Sequence, residues 1–474
     1  MVIISRTKLW ARMKQINSIL RNCSSDVNKS KIQKLYVKPS GYDTNIMLYN
    51  SSTKRKMMLK TKESGIISWY CCGPTVYDSA HIGHACCYIH FDIIRRIMEE
   101  VFYQNVILVM GITDIDDKII NRANMEGVDY RTISQYYEEE FFKDMGRLNV
   151  KKPVITARVT DYIPEIVGFV SKIIDRGYGY ITADNSILCS NDLNIVQGSV
   201  NFSVNKYSSY ELFSRFQEEG TSDSSGKIDS RDFALWKGIK PGEPSWSSPW
   251  GKGRPGWHIE CSAIASKLLG NRLDIHSGGI DLQFPHHQNE EAQCCVYHDV
   301  RSWVTYWMHT GIEYGDDVMN SAVAVYNKFS NFIFDCNDYI KGVKPLGSFD
   351  ESTLFQDLEE TRKTVLNCLA NDFDTSSAVS RIIQFITKAN SAFNQKQNDL
   401  QTESCFAVAA AAAYVENFLT MSGFILNDSE LTEMKTTLLG ACDQFRNEMN
   451  VSGIELKSKK LYDTVTFMKT TDAS

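Results

Sequence analysis

The chain has 474 residues and a formal net charge of −6 at pH 7, and 23% of its residues are charged. A chain of this length is expected to form about two to four domains with a substantial core. The acidic balance disfavours a surface that binds nucleic acid without specificity, although a local basic face is compatible with it. No apolar run approaches the ~20 residues needed to cross a bilayer, so we expect no membrane association. Thirteen cysteines without a secretory signal predict free thiols in a reducing compartment.

The first 25 residues differ from the rest of the chain. They contain five basic residues, no acidic residue and several interspersed apolar side chains. A basic amphipathic segment of this kind is typical of mitochondrial transit peptides. We therefore predict a transit-like segment over residues 1–35 and a location in the mitochondrial matrix. A disordered basic tail is the alternative that composition leaves open.

The segment that follows alternates between strand and helix patterns. The run IISWYCCG (66–73) predicts a buried strand, a helix opens near His81, and VILVMGIT (106–113) predicts a second strand. Helices are expected near residues 115–125 and 131–146. This order predicts an α/β fold in which a parallel sheet binds a nucleotide at the carboxyl ends of its strands.

Two later regions have a different character. The stretch 185–230 is polar and rich in Ser and Asp, and it predicts an insertion between the halves of the sheet. Strand signals fade from about residue 350 onward. Helical patterns there predict an α-helical bundle. These patterns lie at residues 351–370, 374–395, 403–424 and 429–447.

Several long motifs point to one family. HIGH at residues 81–84 follows CGPTVYD, and the chain continues with TDIDDKIINRAN (113–124), FALWKGIKPGEPSWSSPWGKGRPGWHIECS (233–262) and LDIHSGGIDLQFPHHQNEEAQ (273–293). A four-letter motif alone often arises by chance. Together and in this order, the segments resemble the cysteinyl-tRNA synthetases, which are class I aminoacyl-tRNA synthetases. The resemblance extends over roughly residues 45–460.

This resemblance implies an architecture and a reaction. It implies a Rossmann-type parallel-sheet catalytic domain at residues 45–345 with an insertion at about 185–230. A helical tRNA- or anticodon-binding domain at 350–460 and a tail at 461–474 would follow. The implied enzyme is an AMP-forming cysteine–tRNA ligase of mitochondrial translation. Its substrates would be cysteine, tRNA(Cys) and ATP with Mg²⁺, and it would act as a monomer.

Cys72, Cys261, His286 and Glu290 form the metal set that the resemblance implies. Two thiolates, an imidazole and a carboxylate suit a tetrahedral zinc ion. The four are far apart in sequence, so spacing alone does not predict a site, and each taken singly is compatible with an ordinary role. A pocket that relies on packing separates cysteine from serine by only ~1–3 kcal/mol, whereas a thiophilic metal exploits a larger chemical difference. A closed structural zinc site is the alternative.

The ATP site is expected at the strand–helix junction that carries HIGH, where free backbone N–H groups and the helix dipole favour phosphate. By resemblance, His81 and His84 are the catalytic side chains that hydrogen-bond the phosphates, and Gly83 leaves space for the adenine. Gly73 and Thr75 line the same turn. Helix capping and core packing are the ordinary alternatives for the two histidines.

Further residues occupy positions that surround the bound cysteine in the family. The resemblance places Thr113, Trp257 and His276 around this substrate. It places Asp281 near the substrate amino group or the ribose. Trp257 is equally compatible with a core position, as buried aromatic residues usually are.

The second class I signature, KMSKS, is degenerate in this chain. VMNSA (318–322) keeps only its methionine, and another alignment places AVYNK (324–328) there, so both signature lysines are missing. Cys86 replaces a usual arginine after HIGH, and Met110-Gly111 replaces a usual Arg-Asn. Basic residues are thus lost near the expected ATP and tRNA end, while the metal set is complete.

Three hypotheses follow from this loss. The first is an active synthetase with a divergent phosphate-binding loop, in which Lys328 partly replaces the lost lysines. The second is a non-catalytic paralogue that binds cysteine, zinc or tRNA. The third is a ligase that joins activated cysteine to a non-tRNA amine, although the helical carboxyl-terminal region suits a tRNA reader better. A gene-model error around residues 312–330 would also remove the motif. The complete metal and HIGH segments favour the first.

Overall fold

A computed structural model describes residues 39–183, 198–207, 227–311, 315–347, 349–394 and 405–425. The predicted transit-like segment and the tail at 461–474 lie outside these residues, as does the expected helix at 429–447. The described strands are β1 (Tyr42–Asn50), β2 (Arg55–Thr61), β3 (Ile66–Thr75), β4 (Asn105–Thr113), β5 (Ile155–Arg158), β6 (Gly179–Ala183), β7 (Gly198–Phe202), β8 (Phe233–Gly238), β9 (Gly253–Pro255), β10 (Leu273–Gly279) and β11 (Val304–Thr310). The described α-helices are α1 (Ile82–Arg96), α2 (Asp117–Glu126), α3 (Tyr130–Arg147), α4 (Ile163–Asp175), α5 (Trp257–Leu269), α6 (Gln288–His298), α7 (Asp316–Ile340), α8 (Glu351–Ala370), α9 (Thr375–Phe393) and α10 (Phe406–Met421).

A parallel sheet with the strand order β11-β10-β3-β4-β5 forms the centre of the described structure. Side chains on both faces of β3 are buried, which is expected where helices cover both sides of a parallel sheet. Strands β4 and β5 follow β3 in the sequence and lie on one side of it, whereas the later strands β10 and β11 lie on the other side, so the strand order reverses at β3. Ligands of open α/β sheets bind at such a switch, beyond the carboxyl ends of the strands. The predicted α/β class is therefore confirmed.

A second, antiparallel sheet with the order β6-β7-β8-β9 lies between α4 and α5 in the chain. The predicted polar insertion falls within it, and much of that stretch (184–197 and 208–226) lies outside the described residues. Ion pairs connect this sheet to the helix that follows β4. Lys237 Nζ lies 2.7 Å from Asp117 Oδ2, and the buried Arg254 pairs with the same carboxylate. These contacts fix the second sheet beside the end of β4.

The carboxyl-terminal part of the described chain is helical. Helices α8, α9 and α10 coincide closely with the patterns predicted at 351–370, 374–395 and 403–424. Phenylalanine rings of α7 stack on these helices, Phe332 on Phe393 of α9 and Phe329 on Phe418 of α10. Backbone hydrogen bonds join this bundle to β1, since Asp372 N donates to Met47 O at 2.8 Å. Among the helices that the structure describes, none has both the length and the apolar character required to cross a bilayer.

Candidate active site and metal centre

The structure brings together the four residues of the expected metal set. Cys72 lies near the end of β3, Cys261 lies in α5, His286 lies in the turn before α6, and Glu290 lies in the first turn of α6. All four side chains are buried, and one donor atom from each lies within 4.8 Å of the others. Residues far apart in sequence therefore meet in one place.

The separations between the donor atoms fit one tetrahedral ion. Cys72 Sγ lies 3.8 Å from Cys261 Sγ and 3.7 Å from Glu290 Oε1. His286 Nε2 lies 3.0 Å from the same carboxylate oxygen. Two sulfurs that are each ~2.3 Å from a tetrahedral zinc ion are about 3.8 Å apart. The donor types and the sulfur–sulfur distance thus both suit zinc.

The same four groups are strongly coupled electrostatically. A hydrogen bond with Cys72 lowers the pKa of Cys261 to about 6, although the burial of Cys261 opposes this shift. Burial favours the neutral form of His286, but the charges of Glu290 and Cys261 raise its pKa to about 10. Burial also disfavours ionised Glu290, yet His276 and His286 lower its pKa to about 2. Burial raises the pKa of Cys72. A divalent cation held by this set would therefore meet Cys261 and Glu290 as anions at neutral pH, and Cys72 and His286 would lose their protons to solvent on binding.

Two of the residues predicted to surround the substrate contact the metal set. His276 is buried, and its Nε2 lies 2.8 Å from Glu290 Oε2. Within the described residues, Nδ1 of His276 has no hydrogen-bond partner. Trp257 is 38% exposed and stacks on the His286 ring at a centroid distance of 4.4 Å. Trp257 is therefore a surface wall of this pocket, and the alternative of a core position is wrong.

The other two predicted substrate residues lie farther out. Thr113 ends β4, and its hydroxyl donates to Glu260 Oε2 at 3.3 Å, next to Cys261 in the chain. Asp281 is exposed in a single helical turn after β10. Its charge adds to burial in raising the pKa of Cys87 to about 11, so Asp281 faces the HIGH helix. Thr113 thus borders the metal pocket, whereas Asp281 lies towards α1.

The two histidines of HIGH form a capping box at the start of α1. His81 Nδ1 accepts a hydrogen bond from Gly83 N at 3.1 Å, and His84 Nδ1 accepts from His81 N at 3.3 Å. The rings stack at a centroid distance of 4.0 Å. Because both Nδ1 atoms accept backbone N–H groups, the neutral rings carry their protons on Nε2. Capping is therefore a real role of these histidines, and it leaves two Nε2–H donors for another acceptor.

Burial reinforces the neutral state of His84. It lowers the pKa of His84 to about 4, with a further lowering by the neighbouring His81. A neutral imidazole that donates from Nε2 suits an anion without the cost of a buried charge. Both donors belong to the amino terminus of α1, where the helix dipole also favours an anion.

The remaining residues of the predicted ATP turn lie beside these donors. A side chain on Gly73 would place its Cβ 2.2 Å from Gly111 O, so only glycine lets β3 approach β4 at this point. Thr75 pairs in register with Thr113 at the ends of the two strands. Gly83 is buried, and its N–H is part of the cap. Local backbone geometry thus requires Gly73 independently of any nucleotide.

Three histidines that the sequence did not single out adjoin the metal set. His258 Nδ1 lies 2.9 Å from His286 Nδ1, so it contacts the ring edge that faces away from Glu290. His287 Nε2 lies 3.5 Å from Cys72 Sγ. His287 Nδ1 in turn lies 2.7 Å from His309 Nε2. Helical spacing could have indicated His258, which precedes Cys261 by about one turn, but no local pattern marks His309.

The region expected to carry KMSKS is mostly helical. VMNSA and AVYNK both lie inside α7, while residues 312–314 lie outside the described residues. Val318, Ser321 and Lys328 are exposed on this helix. No glycine or proline interrupts the sequence from Asp316 to Ile340, which explains why it continues as a helix. The expected phosphate-binding loop is therefore not formed by either aligned segment.

Comparison with known proteins agrees with this architecture. Residues 58–333 match the family model of the tRNA synthetases class I (C) catalytic domain. The structure is similar to that of Mycobacterium tuberculosis methionyl-tRNA synthetase in complex with methionyl-adenylate, with a TM-score of 0.53. That alignment covers 75% of this chain and 90% of the other at 13% identity, so it shows a shared fold.

Curated relatives define the family more closely. A probable mitochondrial cysteine–tRNA ligase of Xenopus tropicalis is 38% identical over 444 residues, which are 83% of this chain and 75% of the relative. The cytoplasmic cysteine–tRNA ligase of Dictyostelium discoideum is 34% identical, over 92% of this chain and 75% of its own length. A cysteine–tRNA ligase of Staphylothermus marinus is 34% identical, over 88% of this chain and 93% of its own length. The chain belongs to the cysteine–tRNA ligase family of class I aminoacyl-tRNA synthetases.

Proposed function

We propose that this enzyme attaches cysteine to tRNA(Cys) through a cysteinyl-adenylate in the mitochondrial matrix. ATP with Mg²⁺ is a substrate, and one zinc ion per chain recognises the cysteine thiol. The observation that supports this most is the position of Cys72 near the end of β3 and of the HIGH histidines at the start of α1, the next element of the chain. A thiol-binding pocket and a phosphate-binding helix end are thus adjacent.

The metal pocket accounts for the choice of cysteine over serine. When bound, zinc supplies a thiophilic coordination position that a hydroxyl fills poorly. Cys72, Cys261, His286 and Glu290 would hold it, and His276 keeps the Glu290 carboxylate oriented through the 2.8 Å hydrogen bond. Trp257 closes the exposed side of this pocket by stacking on His286. Thr113 borders the same space from the end of β4.

The HIGH helix end accounts for the phosphoryl chemistry. As the carboxylate of cysteine attacks the α-phosphate of ATP, the bond to the β-phosphate breaks, pyrophosphate leaves, and negative charge develops on the phosphate oxygens. His81 and His84 each keep an Nε2–H donor, because their Nδ1 atoms are committed to the cap. Donors that are fixed before the reaction stabilise such charge without reorganisation. Gly73 and Thr75 form the turn beside them, and Gly83 keeps the first helical turn clear of side chains. Asp281, whose charge acts on Cys87 of α1, is proposed to bind the amino group or the ribose.

The lost lysines lower the expected rate. Each charge-assisted hydrogen bond to a phosphate contributes roughly 1.5–3 kcal/mol, so the loss of two corresponds to about 3–6 kcal/mol. That free energy equals on the order of 10²–10⁴ in rate. Lys328 is exposed on α7 and is the lysine of this segment that remains to compensate in part. We therefore propose a slow enzyme with a weak affinity for ATP.

A non-catalytic paralogue is the second candidate, and the helical structure of the KMSKS region is the observation that favours it. Such a protein would keep the metal pocket and bind cysteine, zinc or tRNA without forming an adenylate. The two candidates share every feature of the pocket. They differ only in whether the capped histidines suffice to stabilise the phosphate charge.

The proposed partners and location rest on the helical region, the amino-terminal segment and a mitochondrial relative. Helices α8, α9 and α10 occupy the region expected to bind tRNA(Cys), and the chain is proposed to act as a monomer. The basic, acid-free amino-terminal segment and the mitochondrial relative in Xenopus tropicalis both support import into mitochondria.

Cysteine-dependent exchange between ATP and pyrophosphate tests the proposal. The full chain is purified, its zinc content is measured, and exchange is compared with cysteine, with serine and with added tRNA(Cys). We expect stoichiometric zinc, exchange with cysteine and none with serine. Bound zinc without any exchange, even with tRNA present, contradicts the enzyme and leaves the paralogue.

A further inference from the structure

His287 lies beside the metal set, but none of the roles described so far uses it. Its side chain is fully buried, and its Nε2 lies 3.5 Å from the sulfur of Cys72. The neighbouring His286 directs its own Nε2 at Glu290. The chain therefore places two consecutive imidazoles at one cluster of donors, and the second requires an explanation.

A hydrogen-bond chain that begins at Ser51 fixes the tautomer of His309. Ser51 Oγ lies 2.7 Å from Trp307 O and 2.7 Å from His309 Nδ1. A carbonyl oxygen can only accept a hydrogen bond, so the single Ser51 hydroxyl proton is donated to Trp307 O. His309 Nδ1 must then carry a proton and donate it to Ser51 Oγ. In the neutral ring, this leaves His309 Nε2 without a proton.

The same logic extends to His287. Its Nδ1 lies 2.7 Å from the unprotonated Nε2 of His309, so His287 Nδ1 is the donor of this bond. His287 is buried and His309 is half-buried, and burial favours the neutral form of an imidazole. The remaining nitrogen, His287 Nε2, therefore presents a lone pair to Cys72 Sγ. A hydrogen bond to the ring nitrogen that does not face the metal fixes the tautomer of a metal-binding histidine.

The lone pair of His287 Nε2 needs a proton or a cation between it and Cys72 Sγ. The thiol proton fills this place in the metal-free pocket, and a metal ion would fill it once Cys72 has lost that proton. Cys72, His276, His287 and Glu290 offer donor atoms that all lie within 4.8 Å of one another, and all four residues are buried. This second donor set shares Cys72 and Glu290 with the first. The pocket thus contains six buried donors where a tetrahedral ion needs four.

We propose that His287 is a further metal ligand of this chain, oriented by His309 and Ser51. The inference rests on the proposed metal site and adds a donor to it. Zinc sites that receive a substrate must keep or open a coordination position. Because both donor sets contain Cys72 and Glu290, His287 would be an alternative protein donor that leaves these two ligands in place.

Metal binding by the full chain and its variants tests this proposal. Zinc affinity is measured by competition with a chromophoric chelator, and the visible absorption of bound Co²⁺ reports the ligand set. We expect His287→Gln to weaken zinc affinity at least ~10–100-fold and to change the Co²⁺ spectrum. Ser51→Ala should also weaken zinc affinity, but by less, because it removes only the last member of the hydrogen-bond chain from His287 through His309 to Ser51. His298→Gln is the matched control, since His298 lies on α6 and bonds Ser266 instead of the metal set.

The outcomes separate this inference from the function on which it rests. An unchanged affinity and Co²⁺ spectrum in His287→Gln would mean that His287 only accepts a hydrogen bond from the Cys72 thiol, and the proposal fails. If that variant does not fold, Ser51→Ala decides, and an affinity equal to the parent's contradicts the proposal. If the parent binds neither zinc nor Co²⁺, the proposed metal site itself fails, whatever His287 does.

Discussion

The metal pocket and the phosphate-binding end of this enzyme are held in place by different forces. In the pocket, Cys72, Glu290 and their partners are buried and joined by hydrogen bonds and charge. Removal of one partner from a buried charge pair leaves the other uncompensated and costs about 3–5 kcal/mol. The positions aligned with the signature lysines, by contrast, are exposed on α7, where substitutions usually change stability little. The fold therefore depends on the buried side chains of the pocket but not on the side chains at the positions aligned with the signature lysines.

In burial, the HIGH histidines are intermediate between the metal pocket and the exposed positions on α7. His81 is exposed and His84 is half-buried, yet both cap α1 through their Nδ1 atoms. Their structural role and their proposed catalytic role use different nitrogens of the same rings. This separation makes it possible to remove one role and keep the other.

The largest expected effect on activity comes from a substitution in the metal pocket. Cys261→Ser replaces a thiolate donor with a hydroxyl that zinc binds poorly, so zinc content should fall and kcat/KM for cysteine in pyrophosphate exchange should decrease on the order of 10³-fold. Cys294→Ser is the matched control, because this buried thiol contacts Ser266 and Ser262 instead of the metal set. Retention of parental zinc content and rate by Cys261→Ser would contradict the assignment of the metal centre.

A smaller effect is expected at the helix end. His81→Asn keeps a side chain that caps helices well but removes the Nε2–H donor, so kcat should fall about 10²-fold. The midpoint of thermal unfolding should stay close to that of the parent. His90→Asn, at an exposed position of the same helix, should change neither quantity. A parental kcat in His81→Asn would mean that this ring serves only as a cap.

The smallest expected effect is a pH dependence of stability. Burial lowers the pKa of His84 to about 4, whereas an imidazole in the unfolded chain titrates near ~6.5. Between these values the unfolded state binds more protons, so the free energy of unfolding decreases as pH falls from about 6.5 to 4. Urea denaturation of the parent and of His84→Asn should show a steeper decrease in the parent across this window. Parallel curves would refute the neutral, buried state of His84.

The sequence was sufficient for the fold class and the family. The buried strand at 66–73, the helix that opens at HIGH and the three carboxyl-terminal helices up to 421 have local patterns strong enough to predict them. The metal donors come from three distant parts of the chain, and only His286 and Glu290 are close in sequence. Spacing alone therefore could not assemble the set, and the resemblance to a family supplied it. The roles of these residues in catalysis and binding remain predictions.

The residues that surround the metal donors could not be predicted from the sequence, and the reason is physical. Ser51 bonds Trp307 and His309 only because folding places β1 beside the end of β11, and no local pattern of the sequence encodes that contact. Helix α7 shows the opposite case. Its uninterrupted run of helix-compatible residues was visible, but the resemblance to a loop-forming signature led to an expectation of a loop there.

The most direct test of this account restores the lost lysines. Val318→Lys and Ser321→Lys are introduced together, since both side chains are exposed on α7 and stand where VMNSA aligns with KMSKS. Pyrophosphate exchange is then measured for parent and double variant as a function of ATP and of cysteine. We predict a lower KM for ATP and a higher kcat, by on the order of 10²-fold in kcat/KM for ATP, with the KM for cysteine unchanged. A double variant that changes the KM for cysteine, or that leaves both ATP parameters at the parental values, would contradict the division between an intact metal pocket and a weakened phosphate-binding end.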